Sequence, residues 1–245
     1  EVCDTFPDRY LHIGGDEVHP SWWNGDAQIQ QFIADHGLDD ARGLQAHFNR
    51  RLHAMLKARG RVAVGWDEVL HADMPPVLVQ NWRGATTRDR ALARSLDCVV
   101  SCGYYLDLFY PADMHYLYDP EGRQSELLTF EDALRADPRL AHVADGIAWT
   151  EQWRSEAIDL AALDVDPARR GRVLGGEACL WSELVDEETL EVRLWSRLPA
   201  VAERLWSARE VCDVEDFYRR MSNLCQLPGL QVARSQTDAL IRLGL

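Results

Sequence analysis

Five short apolar runs, each ending in polar or aromatic residues and separated by helical patterns, restrict this chain to few folds. The runs are Tyr10 to Gly14, Val62 to Trp66, Val77 to Trp82, Cys98 to Tyr105 and Val173 to Trp181. They are nearly continuous in apolar character, the pattern of strands covered on both faces. Between the first two runs, Leu44, Phe48, Leu52, Met55 and Leu56 form one apolar face at helical spacing. A second helix is expected from about Glu188 to Leu205, with Leu190, Leu194, Leu198, Val201 and Leu205 inward. Pro199 should kink it or split it in two. Strand and helix in alternation predict a parallel sheet covered by helices. In such folds chemistry gathers at the carboxyl ends of the strands.

Those ends are where the polar and aromatic residues cluster: Asp16 and Glu17, Trp66 and Glu68, Trp82, Tyr105 and Asp107, Trp181 and Glu183. Aromatic faces stack on the apolar faces of sugar rings, and carboxylates accept hydrogen bonds from hydroxyls, so the combination suits a carbohydrate pocket. The string His12-Ile13-Gly14-Gly15-Asp16-Glu17 is the most specific of them. Its glycines permit backbone geometry closed to other residues, which suits a strand bending into a working loop. If the two carboxylates continue the strand they point to opposite faces, leaving one free as an acid and the other as an electrostatic guide. Glu68 reads either as a support for these groups or as a surface residue, Glu177 as structural, and His12 as a packed histidine rather than a catalyst.

With 47% hydrophobic residues the chain can bury a substantial core, and it holds no apolar run long enough to span a membrane. A net charge of −14 argues against a nucleic-acid partner, whose phosphates it would repel, and none is expected. The six cysteines form no disulfide framework. Cys98 and Cys102 are roughly 13 Å apart along one predicted strand, too far to bridge. Cys179 reads as a small buried hydrophobe, and only Cys212 with Cys225 is placed for a local bridge. His19 beside Asp16 and Glu17 lacks a helical His pair or tight cluster, so no metal and no other cofactor is expected. The connection from Leu108 to Arg172 far exceeds a βα loop. It carries Tyr116, Tyr118, Trp149 and Trp153, with helices expected near Phe130 to Ala136 and Glu156 to Leu163, and either overhangs the working face or packs on the rim.

Taken in order, the segments resemble the catalytic domain of family 20 glycoside hydrolases, the β-N-acetylhexosaminidases. The pieces are His12 to Val18, Gly65-Trp66-Asp67-Glu68-Val69, Gln80-Asn81-Trp82-Arg83-Gly84, Tyr104-Tyr105-Leu106-Asp107, Gly175 to Glu183, and Ala202-Glu203-Arg204-Leu205-Trp206-Ser207. The resemblance implies an α/β fold, a (β/α)₈ TIM barrel, with residues 1–245 as its C-terminal portion and an insertion at about 108–172. Five of the eight βα units, strands 4 to 8, would be present. Three strands would precede Glu1, together with the Arg and His-Asp elements the family carries on them, and the chain alone would then be inactive and aggregation-prone. The implied substrate is an oligosaccharide ending in an N-acetylhexosamine, cleaved with the 2-acetamido group as nucleophile. Glu17 would be the acid and base, and Asp16 would orient the acetamido group. Trp66, Trp82 and Trp181 would wall the pocket, Tyr105 would bond the acetamido oxygen, and Asp107 and Glu183 would bind hydroxyls. A periplasmic or secreted location fits the family, and oligomeric state stays open. The competing readings are a sugar-binding barrel without catalysis and a metal-dependent hydrolase on a similar barrel.

Overall fold

Each of the five apolar runs contributes a strand in the computed structural model, which describes residues 1–143, 168 and 170–224. They are β1 (Tyr10–His12), β2 (Val62–Trp66), β3 (Leu78–Asn81), β4 (Cys98–Val100) and β5 (Val173–Gly176). They form one sheet in the order β1-β2-β3-β4-β5. β1 runs parallel to β2, with Tyr10 opposite Val62 and His12 opposite Val64, and β2 runs parallel to β3, with Trp66 opposite Gln80. A parallel sheet whose strands follow chain order, with helices in the β1–β2, β3–β4 and β4–β5 connections, is the arrangement of consecutive units of a (β/α)₈ barrel, as expected; between β2 and β3 only the 3-10 turn Asp67–Val69 stands where a helix was expected. Two compact units share the chain, and the division between them passes through β4 and β5: Glu1–Trp82, Arg90–Val99 and Leu160–Leu174 make the first, Arg83–Asp89, Val100–Asp159 and Gly175–Leu245 the second.

In the first unit, helix Ala41–Lys57 packs on β2. The Asp40 side chain caps it by accepting the Gly43 N–H at 2.9 Å, satisfying one of the amides left open by the first turn. Its buried residues are Ala41, Ala46, Asn49 and Leu56. The apolar stripe expected to be buried is therefore only partly so, since Phe48 is 56% and Met55 48% exposed. The inward face is centred about a quarter turn away from that stripe and shares Leu56 with it, with Ala41 and Ala46 letting the helix approach the sheet. At the start of the chain, Arg61 gathers the carbonyls of Cys3, Phe6, Pro7 and Asp8, which fixes the lead into β1.

In the second unit, Ala112, Tyr116, Ala200, Phe217 and Met221 form a buried cluster, with the Tyr116 and Phe217 rings stacked 4.5 Å apart. The helix expected from Glu188 to Leu205 is split into Leu190–Trp195 and Leu198–Trp206, with Pro199 in the first turn of the second piece, where it costs no hydrogen bond. Arg197 at the join is 1% exposed; its Nε donates to the Tyr110 carbonyl at 2.6 Å and its guanidinium lies 3.7 Å over the Phe109 ring. Helix Gln124–Ala136 begins earlier than expected, because the Glu126 carboxylate accepts the Arg123 N–H at 3.0 Å and closes a polar first turn. Tyr116 and Tyr118 are buried inside this unit rather than facing outward. Trp149, Trp153, the helix expected near Glu156 to Leu163, and Cys225 with its suggested bridge lie outside the described residues. Among the described residues, no helix is long and apolar enough to cross a membrane.

Candidate active site

The residues that follow β1 continue its pairing without continuing the strand. Ile13 N–H donates to the Val64 carbonyl at 2.7 Å, and Trp66 N–H to the Gly14 carbonyl at 3.2 Å. Gly14 (φ 68°) and Gly15 (φ 105°) then turn the chain through the left-handed region, and Glu17 enters it too at φ 49°. Asp16 and Glu17 therefore stand, exposed, on a turn rather than on opposite faces of a strand. Left-handed backbone is uncommon for a residue with a side chain, and it persists where the surroundings fix it. Gln45 supplies one such tie, donating from Nε2 to the Gly15 carbonyl at 2.7 Å. His12 accepts the Gly14 N–H on Nδ1 at 3.0 Å and meets the Trp66 ring edge-on at 5.0 Å, although it is exposed rather than packed inside as expected. His19 lies 2.8 Å from the Ser21 hydroxyl.

Below this turn, Trp66, Asp67 and Glu68 reach three different places. Trp66 is buried against His12. The Asp67 carboxylate, 4% exposed, accepts the Asn81 amide at 3.0 and 3.1 Å and the Trp82 N–H at 2.8 Å, fixing the end of β3. Glu68 accepts the Glu17 N–H at 3.3 Å on one oxygen and the Trp82 indole N–H at 3.2 Å on the other. The close approach depends on Gly65, since a Cβ there would lie 2.3 Å from Val69 Cγ1. Asp16, Glu17, Trp66 and Trp82 thus fall in one unit, with the acid-bearing turn and Trp82 joined through Glu68. Asp67 and Gln45 were not expected. The only signal for Asp67 is its place between Trp66 and Glu68, and a surface-like glutamine on a helix gives none.

The predicted strand over Cys98 to Tyr105 breaks at a turn that lies in the second unit, Tyr104 N–H bonding the Ser101 carbonyl at 2.9 Å. Gly103 sits in it at φ 84°, where a Cβ would be 2.5 Å from the Tyr118 ring. The chain then pairs again, Tyr105 bridging Cys179 in parallel. Cys98, Cys102 and Cys179 are all buried, and the Cys102 sulfur lies 2.6 Å from the Tyr118 hydroxyl. Tyr105 is bonded through its hydroxyl to the Trp181 side chain, and burial raises its pKa. Asp107 is 5% exposed, and burial raises its pKa against the opposing pull of backbone N–H groups, including that of Trp181, and of nearby Arg193. Its Oδ1 has no hydrogen-bond partner among the described residues. Trp181 is 40% exposed, Glu183 is exposed on the turn Ser182–Leu184, and Glu177 is exposed just past β5. This unit therefore brings together Tyr105, Asp107 and Trp181.

Comparison with known proteins bears on both units. The sequence profile described as "Glycosyl hydrolase family 20, catalytic domain" matches residues 1–209. The beta-hexosaminidase subunit alpha of Bos taurus is 31% identical over 232 residues, which cover 93% of this chain and 38% of that protein. A solved chitobiase from Flavobacterium johnsoniae is 32% identical with a TM-score of 0.68, covering 100% of this chain and 31% of its own. The exo β-N-acetylglucosaminidase from Vibrio harveyi, solved in complex with N-acetylglucosamine, is 21% identical at a TM-score of 0.68, over 96% of this chain and 34% of its own, a likeness of fold. The chain thus spans roughly a third of the length of these relatives.

Proposed function

Because the chain belongs to glycosyl hydrolase family 20, we propose that its protein removes terminal β-linked N-acetylglucosamine or N-acetylgalactosamine from oligosaccharides or glycoconjugates. The named relatives support the substrate class, and the residues supply a route to the chemistry. Glu17 protonates the departing glycosidic oxygen and then activates water as a base. The carbonyl oxygen of the substrate's acetamido group attacks the anomeric carbon, closing an oxazolinium ring as the glycosidic bond breaks. Asp16 accepts the amide N–H, aims that carbonyl and stabilises the positive charge of the ring. Tyr105 bonds the acetamido oxygen, Trp66, Trp82 and Trp181 grip the sugar and its methyl group, and Asp107 and Glu183 take hydroxyls.

The observation that carries this reading is the turn Gly14 to Glu17. It presents two adjacent exposed carboxylates, one of them on left-handed backbone and bonded through its amide to Glu68. A binding module needs no acid so held. Replacing Glu17 with Gln tests it. Turnover should fall roughly 10²–10⁴-fold for substrates with poor leaving groups and far less for aryl glycosides with acidic ones, which need little protonation. Equal losses across the leaving-group series, with chemistry rate-limiting, would remove Glu17 from the role of acid.

A further inference from the structure

We infer that Glu68 is a positioning residue that sets the catalytic acid and one wall of the sugar pocket together, an inference that rests on the function proposed above. Its carboxylate spans two segments far apart in sequence, accepting the backbone N–H of Glu17 at 3.3 Å and the indole N–H of Trp82 at 3.2 Å. Both neighbours are donors, and an ionised carboxylate is the side chain that offers acceptors only. A charged acceptor also makes each bond stronger than a neutral one would be. The anchor itself is fixed: Glu68 lies in the turn Asp67–Val69, whose first residue is buried and bonded to Asn81 and to the Trp82 amide. Trp82 is thus held twice from this turn, by its backbone through Asp67 and by its ring through Glu68.

The other end of the span explains why such a tie is needed. Glu17 has φ 49°, a conformation disfavoured for a residue with a side chain, so its turn relaxes unless something outside it holds the amide. Glu68 supplies that hold from the neighbouring strand end. A shift of the acid relative to the glycosidic oxygen then accompanies any shift of the Trp82 ring, because one group bears on both. The chemistry and the grip on the sugar are in this sense a single adjustment.

The isosteric Glu68→Gln substitution decides the matter in the active protein. Gln keeps one acceptor and turns a donor toward the other partner, so it preserves volume while breaking one of the two ties. The expected result is a roughly 10²-fold fall in kcat/KM for poor leaving groups, a smaller fall for acidic aryl ones, and a raised KM. Trp82→Phe removes the indole donor but keeps an aromatic wall. In that background Glu68→Gln should cost less than it does alone, because the two changes share one interaction. A Glu68→Gln enzyme with the parent's KM and leaving-group dependence, or strict additivity with Trp82→Phe, overturns the inference. Any lost thermal stability changes the amount of folded enzyme but neither of these ratios. If Glu17→Gln itself shows no leaving-group dependence, the proposed function fails; if it does and Glu68→Gln does not, only the role of Glu68 fails.

Discussion

Asp16 is exposed on its turn, so its contribution depends on what it meets in the substrate rather than on burial. Asp16→Asn should keep a similar shape, lose the charge that stabilises an oxazolinium ring, and lower kcat roughly 10²–10³-fold. A thiazoline mimic of that ring should bind the variant more weakly than the parent, and a fluorosugar ester trapped on Asp16 would refute substrate assistance. At this scale the sequence shows residues that interrupt apolar runs, which is why Asp16, Glu17, Trp66 and Trp82 could be named from it. It does not show a residue whose work is defined by a distant partner. Asp67 gains its role from Asn81 and Trp82, which stand opposite only once β2 and β3 have paired. Gln45 looks like any solvated helical residue until the helix is laid against the turn at Gly15.

Helix Ala112–Leu117 carries a buried titratable group, His115. His115 is fully buried, its Nδ1 donating to the Gly103 carbonyl at 2.6 Å while Nε2 finds no partner among the described residues. Burial, reinforced by nearby Arg197 and opposed by the Gly103 bond and Asp113, pushes its pKa down to about 4. An unfolded histidine titrates near 6.5, so between those values only the unfolded chain takes up the proton. The stability that comes from keeping this ring neutral is complete above pH 6.5 and is lost as the pH falls toward 4, up to about 3 kcal/mol in all. Thermal melts of His115→Gln and the parent at pH 7, 5.5 and 4 should show a difference that shrinks with acidity, and a constant difference would contradict it. The elements themselves were read best where local rules suffice. Val62 to Trp66 coincides with β2, and Pro199 does divide its helix. The run from Cys98 was read too long because apolar character continues through a turn that only the Tyr118 ring beside Gly103 explains.

For the chain as a whole, the order of strands was legible because each unit of a parallel fold is a local repeat of strand and helix. Which face of a helix is covered was less legible, since it depends on how closely two elements approach. The result is an apolar stripe on helix Ala41–Lys57, with Phe48 and Met55 open to solvent, in a unit that also exposes Phe6 and Tyr10. Residues 1–245 expressed alone should therefore self-associate, and Phe48→Glu with Met55→Glu should reduce the association. Light scattering against concentration checks this, and a parent chain that stays monomeric would remove the stripe as the cause. The strand order has one more consequence, which lies in time. Because β1 to β5 pair in the order in which they are made, a growing chain can add each strand to an edge already present as it leaves the ribosome. The longest wait is at the step from β4 to β5, which needs residues 101–172, a delay on the order of seconds at ordinary rates of synthesis. Throughout that interval β4 waits beside the exit tunnel as the unfinished margin of the nascent sheet.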